Sequence, residues 1–578
     1  MKKLVNNKFL YIVLLIFCYS IPYLILRYKL QLNYTVNLTS YLKFFIGGIY
    51  PPLFFFVILN LSKNKVYRYL VIFLFNFLYF GTILGILLYY KYFLTIPYYN
   101  AVFQIFNLPQ ITNQIFTQVI GLQELFILIL FVFSILLSIA ISKFKALNSI
   151  KAIVLLIFIS TVFIIQSITI TNRSYDGLKN ISNAINYDSV NTLAKCGFWP
   201  FYLSQIIIDL KNQNTNSNQV NYTYKHKLDV SNSKNKKFNF RNYNIIMIQV
   251  ESLDSKVIDY QVNNQYIMPF LHDFKKKSVY FKNIYPLNGG GYSSDSELSI
   301  LTSLIPLMSR SGIMTANYKR IKSLNKTLEK YNYYSAAMHG YSGTFFNRNY
   351  FFKFLGFDRF FEQSSYSGSA KGWYSKDIEF FRQSISKIKK FPTPFLAYLI
   401  TMQSHGPFEN HDQTTDLKLN NLNNTIVKDY FISIHEVDKA LSVFINSLKK
   451  EGLLDNSIIV IFGDHNSHIE DQVYAPKSFK KTIPLIIYQT KLPSSINEKI
   501  GSQIDFAPTV LNLVDIPEPK NAWLGTSLFC KGNGKALFQD LSVIENTNGK
   551  IISKKEDNLK PLLDYSTSIF SASTIPGA

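Results

Sequence analysis

A chain of 578 residues carrying a formal charge of +24 is too long for one ordinary hydrophobic core, and so strong a basic balance asks for an anionic partner. Its lysines are scattered rather than gathered on a recognition motif, which points away from nucleic acid and toward an anionic membrane surface or an anionic substrate. Only Cys18, Cys196 and Cys530 are present, which excludes a disulfide framework and a cysteine-rich zinc site.

In chain order, the first 170 residues hold five apolar runs: Phe9 to Leu26, Tyr41 to Leu61, Tyr69 to Tyr90, Leu125 to Ile141 and Ala152 to Ile170. Each approaches the roughly 20 residues that a bilayer crossing needs. Five in succession with short basic connectors predict a multi-pass membrane domain. No small-residue cleavage site follows the first run, so it is expected to be retained rather than removed as a secretory signal. Lys2, Lys3 and Lys8 precede the first run, Lys63, Lys65 and Arg68 follow the second, and Lys143, Lys145 and Lys151 follow the fourth. The other connectors are poorer in basic residues. This asymmetry places the N-terminus in the cytoplasm and everything beyond Ile170 outside the cell.

Residues 172–210 have apolar spacing suited to helices near the membrane face, and the Asn- and Lys-rich stretch that follows reads as a linker. From Asn244 short buried-strand patterns recur, "NIIMIQVES", "FLAYLITM", "SIIVIFGD" and "IPLIIYQ", separated by amphipathic helical stretches. Strands alternating with helices predict a largely parallel sheet covered on both faces, with ligands at the C-terminal strand ends. The first strand ends at Glu251 and a later one at Asp464 and His465, which puts all three on one edge of the sheet.

Two carboxylates and an imidazole suit a divalent ion such as Mn²⁺ or Mg²⁺, with Zn²⁺ less favoured. The alternatives are an acid/base pair or a polar turn. All eight histidines lie at or after His226, so titratable chemistry belongs to this second body. The segment "GGGYSSDSE", Gly289 to Glu297, reads as a glycine-rich approach to a helix N-terminus, where a hydroxyl is well situated to be a nucleophile. Ser293, Ser294 and Ser296 are the candidates. His435 reads as a packed helix residue, and Trp373 either lines a pocket or packs.

The ordered set "NIIMIQVESL", "GGGYSSDSE", "HGYSGTFFNRNYFFKFLGFDRFF", "ITMQSHGPF", "IFGDHNSH" and "QIDFAPTVLNLVDIP" resembles the lipoteichoic acid synthase family, membrane phosphoglycerol transferases with an extracellular domain of the alkaline phosphatase and sulfatase fold. The resemblance implies a multi-pass α-helical membrane domain followed by an α/β sulfatase-like domain. The expected boundaries are 1–171 for five transmembrane helices, 172–240 for juxtamembrane helices and linker, 241–535 for the catalytic domain and 536–578 for a C-terminal extension.

Carried over residue by residue, it makes Glu251, Asp464 and His465 metal ligands. Ser293 stands at the position of the family's nucleophilic threonine, which also touches the metal; Ser294 is its nearest competitor. His405, Arg348 and His339 fall on substrate-binding positions. Two departures affect recognition of the transferred group or acceptor: Tyr341 stands where the family commonly has aspartate, and Phe346 where it has tryptophan. His468 lies close enough to the metal motif to tune it from outside. The implied reaction moves glycerol phosphate from phosphatidylglycerol to a hydroxyl of a glycolipid or glycerol-phosphate polymer, with Mn²⁺, or alternatively Mg²⁺, as cofactor. Phosphoethanolamine transfer, phosphodiester hydrolysis and a non-catalytic binding protein are the competing readings. A sulfatase is disfavoured, because "GYSSDSE" lacks the context for formylglycine formation.

Overall fold

Each of the five apolar runs is helical: α1 (Lys8–Lys29), α2 (Leu38–Leu59), α3 (Lys65–Phe93), α4 (Leu122–Ser142) and α5 (Ser149–Tyr175), followed by α6 (Phe198–Asn214). The computed structural model describes residues 8–29, 38–93, 96–97, 99, 121–142, 149–175, 192–193, 196–214, 238–288, 292–308, 311–315, 320–343, 345–367, 375–408, 415–420, 422–476 and 481–570. The expected linker therefore lies largely outside the described residues, as do Gly289 to Gly291, Trp373, His226 and His411. The chain divides into two compact units, Met1–Asn216 and Ser217–Ala578.

Among the described residues, Leu10–Lys29, Lys65–Tyr90 and Leu122–Ser142 are long and apolar enough to cross a membrane; Gly48–Leu59 and Ile153–Ile165 are shorter apolar helices. Some polar groups inside this unit pair with one another, as an apolar surrounding favours. Asn76 Oδ1 accepts from the Tyr19 hydroxyl at 2.9 Å and the Ser134 hydroxyl at 2.6 Å, which ties α3 to α1 and α4. Phe73, Leu78, Ile129 and Phe158 stay exposed on the outside of the unit, the pattern of a surface solvated by lipid rather than water.

The second unit is built on eight strands: β1 (Asn244–Val250), β2 (Val279–Tyr285), β3 (Tyr334–His339), β4 (Arg359–Phe361), β5 (Phe395–Ile400), β6 (Ser457–Gly463), β7 (Ile483–Tyr488) and β8 (Ser495–Ser502). They lie in the order β8-β2-β7-β6-β1-β5-β3-β4. Only β7 runs antiparallel to its neighbours. The helices that matter to the site are α7 (Ser293–Thr302), α8 (Arg348–Phe354), α9 (Asp377–Ile388), α10 (Thr425–Lys450) and α11 (Phe506–Leu513).

Every residue of β1, β5 and β6 is buried, which is why their sequences are continuous apolar runs rather than alternating ones. Ile246, Ile248 and Val250 share a cluster with Phe431, Leu441 and Phe444 of α10. Each fully buried aliphatic side chain contributes about 1.5–3 kcal/mol. After β8 an antiparallel sheet, β9 (Lys535–Leu537), β10 (Ser542–Thr547) and β11 (Lys550–Lys555), packs Ala536 against Ile500 and Tyr285. The terminal helix α12 (Lys560–Phe570) returns to the body, where the Ser566 hydroxyl donates to Ile305 O.

Candidate active site

In the register of β1 against β6, Val250 lies opposite Gly463. The residues that follow, Glu251 on one strand and Asp464 and His465 on the other, are thereby delivered to the same edge of the sheet. Gly463 has no room for a side chain, since a Cβ there would stand 2.5 Å from Leu253 O. The backbones of the two strand exits thus approach closely enough for Ser252 N to donate to Asp464 Oδ1 at 2.9 Å.

Ser293 reaches this edge from the first residue of α7. Tyr292, which precedes it, holds φ 44° and ψ −112°, a conformation that costs a non-glycine residue on the order of 1–3 kcal/mol and is typical of functional turns. The Ser293 hydroxyl donates to Glu251 Oε2 at 3.0 Å and lies 3.2 Å from His465 Nε2. His465 Nε2 is 3.1 Å from Glu251 Oε1 and 3.6 Å from Asp464 Oδ2. One ligand atom from each of Glu251, Asp464 and His465 falls within 4.8 Å of the others, and all three residues are buried. Ser294 turns elsewhere, its hydroxyl 3.0 Å from that of Ser311, and Ser296 Oγ accepts from Gln503.

The electrostatics favour a cation at this point. Burial and the neighbouring Glu251 push Asp464 up to about 8. Burial alone would lower His465, but Asp464 and Glu251 outweigh it and push it up to about 10. Glu251 is likewise opposed by burial and is held below the usual carboxylate range by His465. Two buried carboxylates thus compete for one positive charge. The His465 ring is oriented for a ligand: its Nδ1 lies 2.9 Å from Asn466 O, and a carbonyl only accepts, so Nδ1 carries a hydrogen; Nε2, protonated beside Glu251 while the site holds no cation, would turn its lone pair to a cation that took that proton's place. Two carboxylates, one imidazole nitrogen and one hydroxyl are a donor set that fits Mn²⁺ or Mg²⁺.

His405, His339 and Arg348 lie close enough to this core to feel the charge of Glu251. Burial lowers both histidines, His339 to about 3. His405 Nδ1 lies 2.5 Å from Gly406 O and His339 Nδ1 3.2 Å from Ile400 O, so each presents Nε2 as a lone pair. Among the described residues the Nε2 of His339 is buried with no hydrogen-bond partner, an arrangement that a bound group would satisfy. Arg348 is 3 % exposed and forks onto Glu297, one turn along α7 from Ser293, with Nε 3.0 Å from both carboxylate oxygens and Nη2 2.6 Å from Oε1.

Phe346, in a left-handed conformation at φ 51°, has its ring 5.6 Å from Arg348 Cζ. Tyr341 packs with Phe345 and Met402. His468 stands beside the cluster, its ring centroid 5.2 Å from that of His465 and 5.1 Å from Tyr292. Burial pushes it down to about 3. His435 is structural, 2.6 Å from Ile267 O through Nδ1 and 3.0 Å from Asp416 through Nε2.

Three residues of the site's frame carry no assignment from sequence, two of them outside any motif. Asp377, at the start of α9, accepts from Met402 N and Gln403 N, both at 3.0 Å, and so shapes the turn that carries His405. Asp254 accepts from Ser467 N, the Ser467 hydroxyl and the Tyr474 hydroxyl, which holds the loop after His465. Glu297 is the third. The local signal for Asp377 and Asp254 is a carboxylate a few residues from an apolar strand or helix, with backbone donors far away in sequence.

A sulfatase family model matches residues 243–516. Lipoteichoic acid synthase 1 of Bacillus subtilis is 34% identical over 307 residues, covering 50% of this chain and 48% of the relative. The lipoteichoic acid synthase of Staphylococcus aureus is 33% identical over 343 residues, covering 55% and 53%. The chain thus spans about half the length of the curated relatives it matches. Among solved structures, a lipoteichoic acid synthase of Listeria monocytogenes superposes with TM-score 0.52 at 23% identity, covering 58% of this chain and 95% of that one. An alkaline phosphatase superfamily protein of Vibrio parahaemolyticus gives 0.50 at 17% identity, with 64% and 97% covered. Both share the fold described above. Residues 243–516 are therefore a sulfatase-family domain, and across it the chain is similar to the lipoteichoic acid synthases.

Proposed function

We propose that this protein transfers glycerol phosphate from phosphatidylglycerol at the outer leaflet to an acceptor hydroxyl on a glycolipid or glycerol-phosphate polymer, leaving diacylglycerol in the membrane. The observation that carries the reading is the Ser293 hydroxyl, set at a helix N-terminus 3.0 Å from Glu251 and 3.2 Å from His465. A divalent cation, Mn²⁺ by preference, held by Glu251, Asp464, His465 and Ser293, would lower the pKa of the hydroxyl and offset charge on a phosphoryl oxygen.

In the first step Ser293 Oγ loses its proton and bonds to phosphorus while the bond from phosphorus to the diacylglycerol oxygen breaks. That oxygen leaves with the electron pair and takes up a proton. In the second step an acceptor hydroxyl loses its proton and attacks phosphorus, and Ser293 Oγ departs and is reprotonated. His405, with its hydrogen on Nδ1 and a lone pair on Nε2, suits those proton exchanges. Arg348 can turn part of its fork from Glu297 to phosphoryl oxygens, whose geometry it matches. His339 Nε2, buried without a partner among the described residues, suits a donor hydroxyl of the transferred group. Tyr341 stands where the family commonly has a carboxylate, and Phe346 lacks the N–H donor of the family's tryptophan, which bears on recognition of the transferred group or acceptor.

The membrane helices keep the catalytic unit beside its lipid donor, with the N-terminus cytoplasmic and the catalytic unit outside. The test is turnover of fluorescent phosphatidylglycerol by the detergent-purified full chain with Mn²⁺, with and without chelator, beside Ser293→Ala. Metal-dependent diacylglycerol release that the variant lacks is expected. No release from folded, metal-loaded protein would reject the donor and turn attention to phosphatidylethanolamine.

A further inference from the structure

The segment "QIDFAPTVLNLVDIP" has no part in the chemistry above, yet its first residue touches both halves of the site. Gln503 is fully buried. Its Oε1 accepts from Leu287 N at 2.7 Å, and its Nε2 donates to the Ser296 hydroxyl at 2.7 Å and to Asp464 O. One amide thereby spends its two hydrogens on α7 and on the exit of β6. Those are the elements that carry Ser293 and the pair Asp464 and His465.

The turn that presents Gln503 is itself fixed. Asp505 accepts from Ser502 N through Oδ2 and from Thr526 N through Oδ1, both at 2.8 Å. The next carbonyl, Ile504 O, accepts from the Ser303 hydroxyl at 2.6 Å, so α7 is gripped at Ser296 and again just past its end. The two nearest replacements do not fit this role. Glutamate keeps an acceptor for Leu287 but has no hydrogens for Ser296 and Asp464, and asparagine is one methylene short.

We infer that Gln503 is a positioning residue for the transfer reaction, setting the distance between the nucleophile on α7 and the cation ligands after β6. This rests on the assignment of Ser293 and of the cation cluster made above. A residue that only supports the fold would change the melting temperature and leave metal affinity and turnover per folded molecule alone. A positioning residue changes the latter two, by roughly 10–100-fold for groups that orient metal ligands.

The experiment uses the full-length protein. Mn²⁺ binding to the chelator-treated protein is measured by titration calorimetry, and diacylglycerol release from phosphatidylglycerol is followed at saturating Mn²⁺. Gln503→Met, which keeps the shape and removes every hydrogen bond, is compared with Gln503→Glu and Ser296→Ala. The expected result is Mn²⁺ affinity weakened about tenfold and kcat lowered at least tenfold in both Gln503 variants, with KM for the lipid changed less than threefold. Ser296→Ala, which leaves the Asp464 contact in place, should keep Mn²⁺ affinity within twofold. Unchanged affinity and kcat in a folded Gln503→Met or Gln503→Glu protein would overturn the inference. If Gln503→Met does not fold, Gln503→Glu decides. The binding arm needs no lipid, so it still judges Gln503 if phosphatidylglycerol proves the wrong donor. Failure of the wild-type protein to bind Mn²⁺ would reject both assignments.

Discussion

Arg348 and Glu297 form a buried ion pair one helical turn from the Ser293 hydroxyl, with three guanidinium-to-carboxylate contacts between 2.6 and 3.0 Å. Burial raises the Glu297 carboxyl despite Arg348; it also opposes the charge on Arg348, which Glu297 restores. The two partners are therefore unequal. A stranded glutamate can become neutral by taking up a proton, whereas a stranded arginine cannot become neutral by losing one. Glu297→Ala is expected to cost about 3–5 kcal/mol by stranding a buried charge, and Arg348→Met less. Inorganic phosphate should recover part of the Glu297→Ala loss by occupying the freed fork. Thermal melts with and without phosphate check this, and equal losses in the two variants would contradict it.

Ser293 and Ser294 are neighbours with opposite surroundings, one facing Glu251 and His465 and the other Ser311. Ser293→Ala should lower diacylglycerol release by roughly 10³-fold or more. Ser294→Ala should lower it by less than about tenfold and cost about 1 kcal/mol of stability for the lost hydrogen bond. A reversal of the two activities would move the nucleophile.

How far the site can be read from sequence follows from the kind of residue. Glu251, Asp464 and His465 are legible because each terminates a continuous apolar run, and parallel strands bring such ends to one edge; the pairing of Val250 with Gly463 is that rule realised. The strands themselves are legible for the same reason. The partnership of Arg348 with Glu297 is not, because nothing local to either residue says that a helix and a distant turn will meet. Asp377 is equally silent, and the motif that Gln503 opens does not disclose its role, since the partners of both are backbone groups and an isolated hydroxyl far along the chain. Beyond residue 536 the sequence is polar and lacks an apolar run, so it reads only as an extension; its antiparallel strands draw their stability from one face laid against Ile500 and Tyr285.

Removal of the cation should be visible without substrate. Mn²⁺ at a hundredfold over its dissociation constant stabilises the folded state by about 2.7 kcal/mol. In Asp464→Asn that response should vanish. The metal-free variant should melt no lower than metal-free wild type, because burial and Glu251 already push the Asp464 carboxyl up to about 8. Melting curves with Mn²⁺ and with chelator test the pair of statements, and a retained Mn²⁺ response would remove Asp464 from the ligand set.

Asp438 gives the second unit a pH dependence remote from the site. On α10 it accepts from Phe270 N at 2.8 Å and Leu271 N at 2.9 Å, and burial raises its carboxyl from 3.8 to about 7. The folded state then holds a proton that the unfolded chain has released. Its contribution is full below pH 3.8 and is lost as pH rises toward about 7. Asp438→Asn should flatten that part of the stability profile, read as melting temperature against pH in chelator. An unchanged slope would assign the dependence to other groups.

The rim of the eight-stranded sheet has one further consequence, for how copies of this protein behave when crowded on a surface. A sheet border with free amides invites a neighbour to add a strand, and both borders here resist it. On one side β4 is only three residues long and starts with the exposed Arg359. On the other, β8 changes register between Asn497 and Ile500, turns the Lys499 ammonium inward to the Cys530 carbonyl at 2.7 Å, and gives Ile500 N to Asn533 O at 2.9 Å. Brevity, a bulge, an inward charge and a covering segment are the devices that keep sheets from zipping together. The second unit should therefore resist edge-to-edge strand addition at high local density.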